Sequence, residues 1–503
     1  MKAKTPKINP IFSSKKPAID VPVAVSRITN TLEKAGFEAY IVGGCVRDSI
    51  LKKTPKDWDV TTNATPEEII PLFEKTFYEN PYGTVGVVNE DVSDETLKTV
   101  EITPYRIESG YSDNRRPDKV TFSKDIHDDL KRRDFTINAL AYNVSSETLL
   151  DDHKGQKDLT ERIIRTVGGS EERFGEDALR ILRAVRFHAE LGFEIDPETQ
   201  VGIEKTKHLL AKISKERIRD EFTKIIMSDN PMNGLIMAQK FGILDYISPI
   251  FTKTIGIEQN QAHSFDVWNH ILRTLQHSAD KKWPLHVRLT ALLHDISKPE
   301  SRRKSPEGDW TFYGHEVVGA RTAERFLNDL KYPKDLVELV TKLVRWHMFF
   351  SDTEQISLSA VRRMVANVGK EYIWDLMNVR ACDRIGTGRP KEDPYRLRKY
   401  KAMIEEAMND PISVGMLKID GKKLMEVTNT TPGPKIGYIL HALLEEVIEE
   451  PTKNTSEYLE NRATELVKMS ENELKTLGES GKEKKEEEAE KQIGEIRKKY
   501  WVK

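Results

Sequence analysis

The chain has 503 residues, 32% of them charged, and its 79 Lys and Arg stand against 81 Asp and Glu for a formal net charge of −2. That length accommodates about three or four domains, and the charge balance excludes a globally basic nucleic-acid binder, so any surface for a polyanion must come from local segregation of charge. The two cysteines, Cys45 and Cys382, form no CxxC, which excludes a disulfide framework or zinc ribbon and predicts a cytoplasmic protein, and no apolar run reaches the roughly 18 residues of a membrane span.

The first stretch, MKAKTPKINPIFSSKKPAID, carries lysines and prolines without an apolar centre, and predicts a mobile basic arm at 1–20. Short β-type runs then dominate to about residue 160: EAYIVGG, WDVTT, GTVGVVN, KTVEIT, KVTF and ALAYNV. Ala39 to Val42 reads as a strand, so Gly43 and Gly44 form a turn whose bare backbone approaches phosphates, with the cation of Arg47 beside it. Asp57 and Asp59 stand two apart in extended DWDV, which sends both carboxylates to one face and Trp58 and Val60 to the other. Paired carboxylates repel unless a cation lies between them, and hard oxygen ligands suit Mg²⁺ shared with a triphosphate. Glu101, on KTVEITP, is either a third carboxylate of this set or an ordinary surface strand residue. In RRDFTINALAY, Arg133 offers donors for phosphate or ribose oxygens and Asp134 an acceptor for a ribose hydroxyl.

Beyond residue 160 apolar residues recur at helical spacing. GEDALRILRAVRF, Gly175 to Phe187, reads as one helix with Glu176 and Asp177 in its first turn and Leu182, Val185 and Ala189 toward a core. Arg180, Arg183 and Arg186 recur every third residue; ordinary pairs on a solvated helix are the bland explanation. Chemistry offers a sharper one. Cytosine and adenine both present an amino donor beside a ring-nitrogen acceptor, which the Asp177 carboxylate and the Arg180 guanidinium complement, while uracil and guanine do not. Seven of the twelve histidines lie between His263 and His347. Among them ALLHDISKPES sets His294 beside Asp295 on an apolar stretch, with His270 upstream and Asp383 downstream. Further on, TPGPKIG marks a turn between helices, and beyond about Ser470 the chain is rich in Glu and Lys.

The GGxVRD turn followed by DxD resembles the head motif of the nucleotidyltransferase superfamily that includes DNA polymerase β. Together with RRDFTINALAY and EDALR it is similar to the class of tRNA CCA-adding enzymes and poly(A) polymerases found in bacteria and eukaryotes, from about Ala18 to Ala463. The resemblance implies an α+β chain: a small mixed-sheet head at 21–160, a helical neck at 161–255, an HD body at 256–400, a helical tail at 401–470 and a charged extension at 471–503. It implies addition of CCA to the 3′ end of tRNA from CTP and ATP on two Mg²⁺ ions held by Asp57 and Asp59, with neither DNA nor a membrane as partner. EDxxR, carried by Glu176, Asp177 and Arg180, matches the family's amino-acid template; Arg183 and Arg186 then face triphosphate and primer. The DNRRP stretch, within Ser109 to Pro117, is similar to the loop that such enzymes need when changing from C to A, and ISKERIRDEFTKII to the neck that buttresses the template, with structure and no chemistry expected.

The His270, His294, Asp295 and Asp383 set resembles the HD phosphohydrolases. It implies Mn²⁺, Ni²⁺, Co²⁺ or Mg²⁺ there, Lys298 as a phosphate contact, and His315 and His347 as candidates for a second position. Three rivals stand beside this reading: a poly(A) polymerase or A-adding enzyme, an HD phosphohydrolase with an inactive head, and an RNA-binding protein without catalysis.

Overall fold

The computed structural model describes residues 19–78, 83–110, 119–259, 264–349, 356–408, 414–470, 472–477 and 493–502. Most of the basic arm, most of the loop at Ser109 to Pro117 and most of the charged extension lie outside the described residues. The chain divides into two compact units, residues 1–345 with 386–388, and residues 346–385 with 389–503.

Among the described residues the first unit carries, after the helix Val23–Lys34, a seven-stranded sheet. In chain order its strands are β1 (Ala39–Val42), β2 (Asp59–Thr62), β3 (Thr76–Tyr78), β4 (Val85–Val88) and β5 (Thr99–Pro104), then, after the separate hairpin of β6 (Arg106–Ser109) and β7 (Lys119–Phe122), β8 (Ala141–Asn143) and β9 (Thr148–Leu150). The spatial order is β3-β4-β5-β2-β1-β8-β9, with β2 and β5 parallel and the other pairs antiparallel. Period-two alternation assigns the faces. Val60, Val85, Val87, Val100 and Ile102 are each at most 4% exposed and turn to the core. Asp59, Glu101 and Gly86 follow one another across β2, β5 and β4 on the other face, in register.

Between β1 and β2 the chain turns at Gly43, whose φ of 85° is open to glycine without strain, and enters the helix Gly44–Ile50. The expectation of one helix over Gly175 to Phe187 needs correcting. Ser170–Glu176 and Leu179–Leu191 are separate helices, and Asp177 between them is extended at φ −144° and ψ 104°. The cause is local competition: the Asp177 carboxylate accepts from the Leu179 amide at 3.1 Å, which starts the second helix in the manner of a cap. Leu182, Val185 and Ala189 on that helix are fully buried, as expected.

The helix Lys215–Met227 sends Phe222 toward Phe251 and Phe326, and the Phe251 and Phe326 rings meet edge to face at 5.3 Å. This aromatic cluster ties that helix to Val267–Asp280 through Trp268, itself 6.2 Å from Phe251, and to His315–Asp329 through Phe326. In the second unit, TPGPKIG separates the helices Gly421–Thr428 and Pro434–Glu449, with Pro434 at the first helical position. Leu424, Ile439, Leu443 and Leu459 close a core there. The fold class read from the sequence, a mixed-sheet head followed by helices, is the one observed. Among the described residues no helix is long and apolar enough to cross a membrane.

Candidate active site

The turn at Gly43 and Gly44 lies against both aspartates. A side-chain carbon added at Gly43 would stand 3.0 Å from Arg133 Nη1 and 3.9 Å from Asp59 Oδ2; one added at Gly44 would stand 3.9 Å from Asp57 Oδ1. Trp58 and Val60 are buried, at 4% and 1% exposure, so Asp57 and Asp59 project away from the core together. Glu101 is exposed on the neighbouring strand directly opposite Asp59, which sets a third carboxylate in the same row. Beneath the turn, Cys45 is buried with its Sγ 3.4 Å from the Val42 carbonyl, and burial and then Asp59 push its thiol up to about 12, so it stays protonated and inert.

Arg47 is 8% exposed and committed: Nε donates to Asp48 at 2.8 Å and Nη1 to the Asn138 amide oxygen at 2.7 Å. Asn138 in turn donates to Asp134 Oδ1 at 3.2 Å, which links the GGxVRD turn to the RRD segment. Asp134 Oδ2 accepts from Arg183 Nε at 2.7 Å. Burial alone would raise the Asp134 carboxyl, but Arg183 and then Arg180 outweigh it and hold it well below the usual carboxylate range. Arg133 is steadied by Asp129, buried within the helix Ile126–Lys131, at 3.0 Å.

One cleft of about 590 Å³ is lined by Gly43, Gly44, Asp57, Asp59, Arg133, Asp134, Arg183 and Arg186. A smaller cavity of about 270 Å³ is lined by Asp177, Arg180 and Arg217, and shares Arg133, Asp134 and Arg183 with the first. The carboxylates and the Asp177 pair, far apart in sequence, therefore open on adjoining space. Arg186 also donates to Glu221 at 2.7 Å and Glu190 at 3.0 Å, and lies 4.2 Å over the Phe187 ring. Arg180 donates to the Arg173 carbonyl at 3.0 Å and pairs with Glu176.

Several residues lining these cavities were missed from the sequence. Arg217, in the neck stretch expected to carry structure and no chemistry, grips Asp177 with two bonds of 3.1 and 2.7 Å, a bidentate pair that fixes the plane of the carboxylate. Lys53, Lys56 and Lys224 add cations to the wall of the larger cleft. No motif spacing announces Arg217 or Lys224, which only the fold brings in, whereas Lys53 and Lys56 lie in the short stretch between the GGxVRD turn and the aspartate pair.

A second cluster lies deeper in the same unit. His270, His294, Asp295 and His315 are at most 5% exposed. Asp295 Oδ2 lies 3.1 Å from His270 Nε2 and 3.2 Å from His294 Nε2, while Oδ1 lies 3.1 Å from His315 Nε2. Lys298 is turned inward, 2.6 Å from both Asp295 and the Gln259 amide oxygen. Burial would raise the Asp295 carboxyl; His294, Lys298 and His270 outweigh it and hold it well below the usual range. His347 and Asp383 belong to the second unit, where Asp383 pairs with Arg380.

Family models described as the poly A polymerase head domain, the RNA- and SrmB-binding region of polymerase A, and the second domain of tRNA nucleotidyltransferases match residues 39–165, 192–254 and 304–463. The CCA-adding enzyme of Lactiplantibacillus plantarum is 33% identical over 87% of this chain and 94% of its own length. The chain belongs to the CCA-adding enzymes. That of Lactococcus lactis is 34% identical over 83% of the chain and 91% of its own length. Among solved structures, the Bacillus stearothermophilus CCA-adding enzyme in complex with CTP is similar at a TM-score of 0.57 and 26% identity, covering 88% of this chain and 98% of that one.

Proposed function

We propose that this CCA-adding enzyme joins CMP, CMP and AMP to the 3′ end of tRNA in the cleft above β2, with Asp57 and Asp59 as the catalytic carboxylates and Glu101 beside them. The set fits divalent cations, Mg²⁺ in the first place: hard oxygen donors project from one face, and Arg133 lies close against the Gly43 turn, where a triphosphate would meet it. When bound, such cations lower the pKa of the attacking hydroxyl and offset charge on the leaving pyrophosphate. The 3′ oxygen of the tRNA bonds to the α-phosphorus as the bond to the β-phosphate breaks. The Gly43 and Gly44 backbone and Arg133 orient the triphosphate, and Asp134, kept ionised by Arg183, accepts from the ribose hydroxyl. Asp177, held in plane by Arg217, accepts from the amino group common to cytosine and adenine, and Arg180 donates to the neighbouring ring nitrogen.

The observation that carries this reading is the adjoining pair of cavities, one at the carboxylates and one at Asp177, joined through Arg133, Asp134 and Arg183. The helical neck and the regions beyond it hold tRNA by shape and phosphate contacts, in the cytoplasm, where the buried, reduced thiols of Cys45 and Cys382 persist. Incubation with tRNA lacking its terminal CCA and with CTP alone, ATP alone or both tests the reading. C must enter first and A must follow; A without C would make the protein an A-adding enzyme.

A second reading concerns His270, His294, Asp295 and His315. Three imidazole nitrogens and a carboxylate converge in a buried set whose nitrogen-rich chemistry suits Mn²⁺, Ni²⁺ or Co²⁺ better than Mg²⁺, consistent with a phosphohydrolase centre. Phosphate release from 2′,3′-cyclic or 3′-phosphorylated nucleotides, lost in His294→Ala while CCA addition persists, is the expected result.

A further inference from the structure

The row that carries the catalytic carboxylates does not end at Glu101. Across β2, β5, β4 and β3 the register runs Asp59, Glu101, Gly86, Phe77, so all four positions share one face of the sheet. Phe77 is 43% exposed, yet the far end of its ring occupies the space above Gly86, where an added side-chain carbon would stand 2.3 Å from Cζ. Only glycine permits the ring to lie there. The result is an aromatic surface two strands from Asp59, or about 10 Å at the usual strand spacing.

The sheet order gives that surface a direction. β2 lies between β1 and β5, so the Gly43 turn at the end of β1 and the Glu101–Phe77 row stand on opposite sides of Asp59. In-line displacement at the α-phosphorus requires the attacking hydroxyl to stand opposite the leaving pyrophosphate. With the triphosphate on the Gly43 side, the 3′-hydroxyl enters from the Glu101 side, and the nucleoside that carries it extends over β4 and β3.

We propose that Phe77 is a positioning residue for the primer: its ring, seated on Gly86, stacks on the 3′-terminal nucleotide of the tRNA and holds its hydroxyl toward Asp59. Stacking tolerates any base, since each has a π-face. That suits a primer whose last base changes from the discriminator to C as the sequence is built. The inference rests on the nucleotidyl-transfer reading and deepens it by naming how the acceptor strand is seated.

Steady-state kinetics on trimmed tRNA test it. Phe77→Ala is expected to raise KM for tRNA about tenfold, leave KM for CTP and the melting temperature unchanged, and be rescued by Phe77→Trp but not by Phe77→Leu. Gly86→Val, which fills the seat of the ring, is expected to reproduce the loss. An unchanged KM for tRNA in Phe77→Ala, an equal rise in KM for CTP, or full rescue by Leu would overturn the stacking role. Absence of any C or A incorporation by the unaltered protein would instead overturn the reading beneath it, so the two failures are distinct.

Discussion

The unit that contains the sheet holds two sets of carboxylate chemistry with opposite settings. Asp57 and Glu101 are exposed and Asp59 is half-buried on an open face, and the cations nearest them line a cleft. Asp295 is 2% exposed and surrounded at 2.6 to 3.2 Å by Lys298 and three imidazoles. Carboxylates that must share ions with a large charged substrate remain open, whereas one enclosed by its own partners contributes chiefly to order unless a small substrate can reach it. Exposure, more than residue type, separates the two settings.

The largest test of that difference is a pair of substitutions. Asp57→Ala is expected to lower the incorporation rate by about a thousandfold or more without changing the unfolding midpoint, since it would remove a ligand of the cations that offset the negative charge of the transition state. Asp295→Ala is expected to do the reverse. Leaving Lys298 and the imidazoles buried without their carboxylate costs about 3–5 kcal/mol in denaturant unfolding, while incorporation by the molecules still folded persists. If Asp295→Ala abolishes incorporation at unchanged stability, the contrast fails.

A smaller effect sharpens the account of Arg217. Arg217→Ala frees the plane of the Asp177 carboxylate, and discrimination against UTP and GTP is expected to fall about tenfold, within the range of a lost bidentate base contact, with little change in the rate for CTP. Competition between CTP and UTP on one primer measures it. The smallest effect concerns pH. The Asp134 carboxyl lies below its unfolded value of about 3.9, so its stabilisation is fully present above that pH and is lost as pH falls through the folded value. Asp134→Asn is therefore expected to be less stable at neutral pH and to show a shallower loss of stability below about pH 4. A parallel pair of curves would show that Arg183 does not hold that carboxylate ionised.

Much of the head was legible because its signals are local. Period-two runs marked β1, β2, β4 and β5, and two glycines after an apolar strand marked the turn. Strand β3 was missed: Thr76–Tyr78 is too short to show alternation, so Phe77 passed unnoticed. The break at Asp177 was hidden because GEDALRILRAVRF keeps helical spacing throughout, and the competing bond from its carboxylate to the Leu179 amide leaves no periodic trace. Arg217 was invisible for another reason. It acts on Asp177, which lies outside its own helix, and such pairing across elements is a property of the packed chain. Asp129 stands four residues before Arg133, a helical spacing that the sequence does show and that passed unnoticed. Lys298, expected at a phosphate, is turned onto Asp295, which spacing alone does not foretell.

The central claim is that the chemistry at Asp57 and Asp59 is general and that base choice resides at Asp177, more than a hundred residues further along the chain. Single-turnover incorporation of each of CTP, ATP, UTP and GTP by the unaltered protein and by Asp177→Ala tests it most directly. The account predicts that the unaltered protein takes C and A, and that the variant still transfers nucleotides but admits U and G. Unchanged rejection of UTP and GTP by an active Asp177→Ala variant would contradict it.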